Sequence, residues 1–453
     1  MTRTVVVAAP ASGSGKTTVA TGLMAALRRR GTTVAPFKVG PDYIDPGYHT
    51  LAAGRPGRNL DPVLVGADRI APLARHGSAD AEVAVVEGVM GLFDGRIPDG
   101  GGSTAHVAGL LEAPILLVVD CRGQARSLAA LLHGFRSFDP TLRIGGVVLN
   151  RVGSARHEDV LRAAADEAGL PVLGALPRRD ALAVPSRHLG LVTAAEHGGA
   201  ATAAVDAMAE LVVAHVDLDA VVALAAPLPA GPVWSPADAV RERATRRVEM
   251  PDSPERDAVV AVLGGPAFTF GYAEHIELLA AAGAEPVTVD PLRDTALPPG
   301  TGGLVLPGGF PEEHVADLAA NAPLLAAVRE LAASGAPVHA ECGGLLYLCG
   351  SLDGSPMCGV LPADATRADR LTLGYRDAVA LSDSALFAQG TRVTGHEFHH
   401  WSVTPRAGDT AAWGWRRAAP EGFVVGGVHA SFLHTHPAGD PGAVARFVRR
   451  ARR

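Results

Sequence analysis

Residues 4 to 18 read Thr-Val-Val-Val-Ala-Ala-Pro-Ala-Ser-Gly-Ser-Gly-Lys-Thr-Thr, and no other stretch limits the fold as strongly. Val5 to Val7 is an apolar run of strand length, the Ser/Gly run is a tight loop, and Thr17 to Arg30 reads as a helix stopped by Gly31. A loop that opens a helix directly after a strand turns unpaired backbone N–H groups and the positive end of the helix dipole toward one point. That arrangement is a cradle for phosphates. Ser12, Gly13, Ser14, Gly15 and Thr18 would line it, Lys16 would reach the terminal phosphates of a nucleotide, and the Thr17 hydroxyl would sit on Mg²⁺. The commonest form of the loop has Gly six residues before the lysine; Pro10 stands there in this chain, so the loop is a variant.

A chain of 453 residues exceeds one ordinary core and predicts two domains. Hydrophobic residues make up 48% and aromatics only 5%, a balance rich in Ala, Val and Leu that suits α/β layers. The net charge of −7 with scattered Lys and Arg excludes the basic footprint of a nucleic-acid binder, and the Arg-rich end, 446 to 453, reads as the solvated face of a last helix. Cys121, Cys342, Cys349 and Cys358 form neither a Cys-x-x-Cys pair nor a disulfide framework, which points to a reducing compartment and away from structural zinc. No apolar run approaches the ~20 residues needed to span a bilayer, and the N-terminus enters a strand at once. The expectation is a soluble, cytoplasmic protein that engages no membrane and no nucleic acid.

After the first helix, Thr33 to Phe37 reads as a strand, followed by Lys38-Val-Gly-Pro-Asp-Tyr-Ile-Asp-Pro-Gly-Tyr-His49. Pro41 and Pro46 predict an irregular loop here, at a strand's carboxyl end where open α/β sheets bind ligands. Lys38 would approach the phosphates, Asp42 would hold Mg²⁺ or its waters, and Asp45 would orient a substrate group. Strand 83 to 86 ends in Glu87, followed by small residues, as a second metal-ligand position requires. Asp120, at the tip of strand 115 to 119, has equivalent chemistry, and composition does not separate the two. Ser103 would cap a helix, and Asn150, ending strand 144 to 149, would either read an adenine edge or serve only as a turn former. Helix 157 to 168 and strand 172 to 176 complete a repeating βα pattern, which implies a doubly wound, mainly parallel α/β sheet.

Six prolines between 227 and 254 surround a charged segment, so the chain divides into a nucleotide domain over 1–225, a linker over 226–256 and a second α/β domain over 257–453. In the second domain, Pro337-Val-His-Ala-Glu-Cys342-Gly-Gly-Leu reads as a strand that turns sharply into a helix with a thiol at the bend. Such an elbow exposes a nucleophile, and a helix start favours its thiolate. Gly309 and Gly343 would offer N–H groups to an oxyanion. The other three cysteines read as small buried hydrophobes. The thiol needs a base, and His396, His399, His400, His429, His434 and His436 are available. His434 and His436 would share one face at the end of a strand, while segment 394 to 400 would line the thiol site or a domain boundary.

Ala-Ser-Gly-Ser-Gly-Lys-Thr-Thr (11 to 18), Phe-Lys-Val-Gly-Pro-Asp-Tyr-Ile-Asp-Pro (37 to 46), Glu-Gly-Val-Met-Gly-Leu-Phe-Asp-Gly (87 to 95), Pro-Ser-Arg-His-Leu-Gly-Leu (185 to 191) and Ala-Glu-Cys-Gly-Gly-Leu (340 to 345) together resemble the cobyrinic acid a,c-diamide synthase family, across nearly the whole chain. The resemblance implies a dethiobiotin-synthetase-like ATPase domain joined to a class I glutamine amidotransferase domain. It further implies that ATP activates the a- and c-acetate carboxylates of a corrinoid as acyl phosphates, in cobalamin biosynthesis, and that ammonia from L-glutamine converts each to a carboxamide. Carried over, Lys16, Thr17 and Glu87 match the phosphate and Mg²⁺ positions, Asp42, Tyr43 and Asp45 the active loop that meets substrate, Cys342 the nucleophile and His434 its partner. The chain departs from ordinary class I glutaminases at Ala340, where they have Gly, and at Ala438, where they follow His-Pro with Glu. The third triad member is therefore expected to be absent. The His-Pro spelling favours His436 as base and the cobyric-acid-type alignment favours His434; His434 is the choice. A related ligase for hydrogenobyrinic acid or nickel-sirohydrochlorin, and a Walker-type ATPase switch with a non-catalytic second domain, are the competing readings. The oligomeric state is open, with a homodimer the candidate.

Overall fold

The computed structural model describes residues 2–178, 193–244 and 258–452, and the chain forms two compact units, Met1–Trp234 and Ser235–Arg453. The motif at 185 to 191 lies outside the described residues.

In the first unit, strands β1 (Arg3–Ala8), β2 (Val34–Val39), β3 (Arg58–Leu60), β4 (Val83–Glu87), β5 (Ile115–Asp120), β6 (Ile144–Val152) and β7 (Val172–Pro177) lie in the order β3-β2-β4-β1-β5-β6-β7. All six pairings are parallel. Every residue of β2 and β4 and all but the first of β1 is buried, as expected where helices cover both faces of a parallel sheet. Polar groups are therefore confined to the carboxyl ends. The register places Glu87 beside Val7 and Lys38, and Asp120 beside Asn150.

Two expectations are corrected here. The 38 to 49 segment is not irregular throughout: Pro46 occupies the first turn of helix Asp45–Ala53, where its missing N–H costs nothing. Asp42 starts that helix by accepting hydrogen bonds from the amides of Ile44 (2.8 Å) and Asp45 (3.0 Å). The proline-rich stretch is also more than a linker. Strand β8 (Ala226–Pro227) pairs antiparallel with the start of β1, and Arg75 donates to the carbonyls of Pro229 (2.6 Å) and Pro232 (2.8 Å). Proline removes donors but leaves carbonyls, and one guanidinium collects them. Helix Pro236–Ala244 follows in the second unit.

The second unit contains β9 (Ala258–Leu263), β10 (Ala284–Val289), β11 (Thr301–Leu306), β12 (Val338–Glu341), β13 (Ser351–Leu352), β14 (Ser355–Pro356), β15 (Asp364–Ala380), β16 (Arg392–Thr404), β17 (Trp413–Trp415), β18 (Phe423–Val425), β19 (Val428–Ser431) and β20 (His434–Thr435). One sheet runs β10-β9-β11-β12-β19-β18, parallel except at β18. The other is built on the long β15–β16 hairpin, with β20 beside β16. Val338 and Ala340 of β12 and Val428 and Ala430 of β19 enter the apolar core with Leu306, Leu345 and Tyr347. The alternate residues, His339, Glu341, His429 and Ser431, are buried on the opposite face.

A single strand running through His436 is likewise corrected. Buried Glu421 accepts from the Ser431 hydroxyl (2.6 Å) and the Phe432 amide (2.9 Å), and Ser431 Oγ accepts from the Leu433 amide (2.9 Å). The chain leaves the first sheet at Phe432 and joins the second at His434, so His434 and His436 do not lie on one continuous strand. Among the described residues no helix is long and apolar enough to cross a membrane.

Burial, reinforced by Glu397 and opposed by Ser431, Phe432 and Arg406, pushes the Glu421 carboxyl from 4.5 up to about 7. Because the folded state holds this proton more tightly than the unfolded chain, its stabilising effect is full below pH 4.5 and is lost as pH rises to about 7. Chemical denaturation of the protein and its Glu421→Gln variant should show the stability difference shifting against wild type by up to about 3 kcal/mol across that window. A difference independent of pH would contradict the burial argument.

Candidate active sites

The first centre sits at the carboxyl ends of β1, β2, β4 and β6. Gly15 has φ 99°, and a Cβ there would stand 2.2 Å from the Asn150 amide nitrogen, so only glycine lets the loop close on β6. The Asn150 side chain donates to the Ser14 carbonyl (2.9 Å) and the Ser14 hydroxyl donates to the Ala11 carbonyl (2.8 Å). Asn150, expected to read adenine, thus ties the phosphate loop itself. Ser12 and Gly13 are exposed at the loop tip, and Thr18 is half-buried in the first turn of helix Lys16–Arg29.

Lys16 donates to the Met90 carbonyl (2.5 Å), with the Ala11 carbonyl 3.5 Å away. Burial, and then the neighbouring Lys38, lower its pKa to about 8. An anion bound at the loop would reverse that trend. The Thr17 hydroxyl donates to Glu87 Oε1 (2.6 Å) and lies 3.4 Å from Asp45 Oδ2. Lys38, only 4% exposed, places its ammonium 2.5 Å from Asp45, 2.9 Å from Glu87 and 3.7 Å from Asp42. Glu87 Oε2 meets His49 Nε2 at 2.7 Å.

Burial raises the cost of ionising Glu87, but Lys38, His49 and Thr17 outweigh it and hold the carboxyl below its ordinary range. Lys38 is likewise held above its ordinary value: Asp45, Glu87 and Asp42 overcome its burial. Asp45 is pushed well up, by burial and then by Asp42 and Glu87, against the pull of Lys38. Lys38, with Lys16 nearby, thus shares the pocket with Glu87, Asp42 and an Asp45 whose proton is held tightly. Thr17 and Glu87 offer the hard oxygen donors that Mg²⁺ takes, and no described group of three His, Cys, Asp or Glu side chains forms an all-protein metal cage.

The two strand-end carboxylates have different partners. Asp120 is bound by both Arg122 (2.8 Å) and Arg151, beside Asn150 rather than Thr17. Tyr43 is buried in the loop. Sequence reasoning gave no role to Asn59, whose amide donates to the Gly40 and Asp42 carbonyls (both 2.7 Å), or to His49 as a partner of Glu87. Asn59 lies on the three-residue strand β3, too short to show a periodic pattern.

The second centre is the bend after β12. Cys342 has φ 47° and ψ −102°, a strained elbow for a residue with a side chain, and helix Gly343–Leu348 starts directly behind it. The Cys342 amide donates to the Ser431 carbonyl (2.8 Å), and its sulfur lies 4.0 Å from the Phe398 carbonyl on β16. Gly309 and Gly343 are adjacent: a Cβ on Gly343 would stand 2.9 Å from the Gly309 nitrogen. Against the thiolate expected from the helix start, burial, and after it Glu312, push the thiol far above its ordinary value. A buried thiol of this kind calls for a base.

Segment 394 to 400 lines this centre, since His396 is registered opposite His434 and Phe398 faces the thiol. His434 is fully buried between Gly308 and Phe270, and its Nδ1 is 3.5 Å from Glu341 Oε2. His436 instead uses Nδ1 to accept from the Ala438 amide (3.2 Å) and lies against Tyr272. His399 stacks on Phe432, and His429 packs edge-on against Trp413. Glu341, the residue before the thiol, was given no role by sequence reasoning, because the class I pattern places an acid after His-Pro, where this chain has Ala438. Cys121, Cys349 and Cys358 are buried, as expected.

Residues 5–192 match the family model described as CobQ/CobB/MinD/ParA nucleotide binding domain, and residues 259–441 match that described as CobB/CobQ-like glutamine amidotransferase domain. The chain is similar to the hydrogenobyrinate a,c-diamide synthase of Mycobacterium bovis, at 60% identity over 456 residues covering 99% of this chain and 97% of the relative. A protein of the same name from Streptomyces coelicolor is 58% identical over 475 residues, with coverages of 99% and 97%. The cobyrinate a,c-diamide synthase of Dehalococcoides mccartyi is 39% identical over 465 residues, covering 98% and 97%.

Replacing Lys38 by Met leaves Glu87 and Asp45 buried without their ammonium and should destabilise the ligand-free protein by roughly 3 kcal/mol or more. Asp120→Asn, at a partly exposed ion pair, should cost about 1 kcal/mol or less. Chemical denaturation of the two variants checks this; equal losses would show that Lys38 is not the counter-ion of the cluster.

Proposed function

The chain belongs to the cobyrinate and hydrogenobyrinate a,c-diamide synthase family, a group of glutamine-dependent amidating ligases, and from that membership we propose that it converts the a- and c-acetate carboxylates of a corrinoid to carboxamides through acyl phosphates, in cobalamin biosynthesis. The preferred substrate is hydrogenobyrinic acid, since the relatives at 60 and 58% identity bear that name and the one at 39% bears the cobalt-containing name. The observation that carries the reading is the presence, in separate units, of a phosphate loop with a Thr17–Glu87 pair and a strained elbow thiol whose preceding residue, Glu341, meets His434.

A carboxylate and ammonia do not form an amide at neutral pH until the carboxylate oxygen becomes a leaving group, and phosphoryl transfer from ATP supplies one. Ser14, Gly15, Lys16 and Thr18 hold the phosphates, with Asn150 fixing the loop. Bound Mg²⁺ would neutralise developing charge on the transferred phosphoryl group, held by Thr17 and Glu87 with Asp42 or its waters nearby. Lys38 stands between the phosphates and the carboxylates, and Tyr43 and Asp45 position the macrocycle's acetate.

In the second unit, Cys342 attacks the side-chain amide of glutamine while His434 takes the thiol proton and then gives it to the departing nitrogen, which leaves as ammonia. The Gly309 and Gly343 amides stabilise the oxyanion, and water releases glutamate from the thioester. A switch ATPase with an inert second domain would leave the strained thiol and its buried imidazole without a task.

Incubation with ATP, Mg²⁺, glutamine and each macrocycle, followed by mass analysis, should show hydrogenobyrinic acid exchanging hydroxyl for amino twice. Cys342→Ala and His434→Ala should lose glutamine-dependent synthesis yet keep synthesis with concentrated ammonium at raised pH; His436→Ala should keep both. Loss of the ammonium reaction in a folded, ATP-binding Cys342→Ala protein would overturn the division of labour.

A further inference from the structure

A histidine that accepts a thiol proton works only if its other ring nitrogen carries a hydrogen aimed at an acceptor, because that fixes the tautomer and steadies the imidazolium. The position where ordinary class I glutaminases place this acceptor, after His-Pro, is Ala438 in this chain. The sheet delivers another carboxylate from a different direction.

Glu341 immediately precedes the thiol on β12, and strand alternation turns it away from the apolar core that holds Ala340. It is 8% exposed. Its Oε2 faces His434 Nδ1 at 3.5 Å, while Oε1 accepts from the amide (3.0 Å) and hydroxyl (2.9 Å) of Thr435. His339 Nε2 lies 3.3 Å from Oε1. The carboxylate is thus anchored to the residue next to the base and cannot swing away without breaking backbone and side-chain bonds. His339 and His434 overcome the burial that would otherwise protonate it.

We infer that Glu341 is the positioning residue that replaces the missing third member of the triad, holding His434 with Nδ1–H toward its carboxylate and Nε2 toward the sulfur. The inference rests on the proposed roles of Cys342 and His434. The thiol proton passes to His434 Nε2 as the carbon–sulfur bond forms, the same proton passes to the leaving nitrogen as the carbon–nitrogen bond breaks, and Glu341 stays ionised throughout. It works without moving a proton itself, so its neutral isostere should keep glutamine binding and lose turnover.

The test is steady-state glutaminase kinetics of the full-length protein with Glu341→Gln, Glu341→Asp and Thr435→Val, alongside Cys342→Ala and His434→Ala. Glu341→Gln should lower kcat roughly 100-fold or more, leave KM for glutamine within about threefold, and retain ammonium-dependent synthesis. Glu341→Asp should recover part of kcat, and Thr435→Val should fall by much less. If Glu341→Gln does not yield folded protein, Glu341→Asp is read by the same split between kcat and KM. Near-wild-type kcat in Glu341→Gln, with Cys342→Ala and His434→Ala inactive toward glutamine, overturns the inference and leaves the proposed function standing. Glutaminase activity surviving in Cys342→Ala or His434→Ala overturns the roles on which it rests.

Discussion

A parallel strand buried on both faces can present polar side chains only at its ends, and both chemical centres of this chain are built on that constraint. In the first unit, β1, β2, β4 and β6 end together at the phosphate loop, Lys38, Glu87 and Asn150. In the second, β12 ends in the Cys342 elbow beside the end of β19, from which the chain crosses to His434. Different chemistry is mounted on one architectural solution.

The two centres also share an electrostatic condition. In each, burial shifts the reactive group's titration away from its ordinary value. Burial and Lys38 bring the Lys16 ammonium down to about 8, and incoming phosphate would raise it again. Burial and Glu312 favour the protonated Cys342 thiol, so in the proposed mechanism the nucleophile would form as His434 accepts the proton. An idle thiolate would react with oxidants; a buried thiol does not.

Much of this was legible in the sequence. The phosphate loop, Glu87 and the Cys342 elbow are local patterns in which strand, bend and helix follow within a dozen residues, so spacing alone places them. What was hidden depends on contacts between distant segments. The preference for Glu87 over Asp120 rests on which carboxylate meets Thr17 and which is held by two arginines, and such side-chain contacts are not written in composition. The bond from Asn150 to Ser14, 136 residues away, leaves no local trace in the sequence. Pro46 was taken as a breaker although a first-turn proline is as good a helix start. The break after Ser431 depends on Glu421, a buried acid from another strand connection, and Glu341 was masked by the motif position at 438.

The proposed amidation depends on a carboxylate being activated by phosphoryl transfer at the first centre before ammonia from the second reaches it. The most direct measurement is isotope transfer: macrocycle labelled with ¹⁸O in its acetate carboxylates, turned over with ATP and glutamine, should pass one label to inorganic phosphate for each amide formed. Amide formed with no label in phosphate would contradict it.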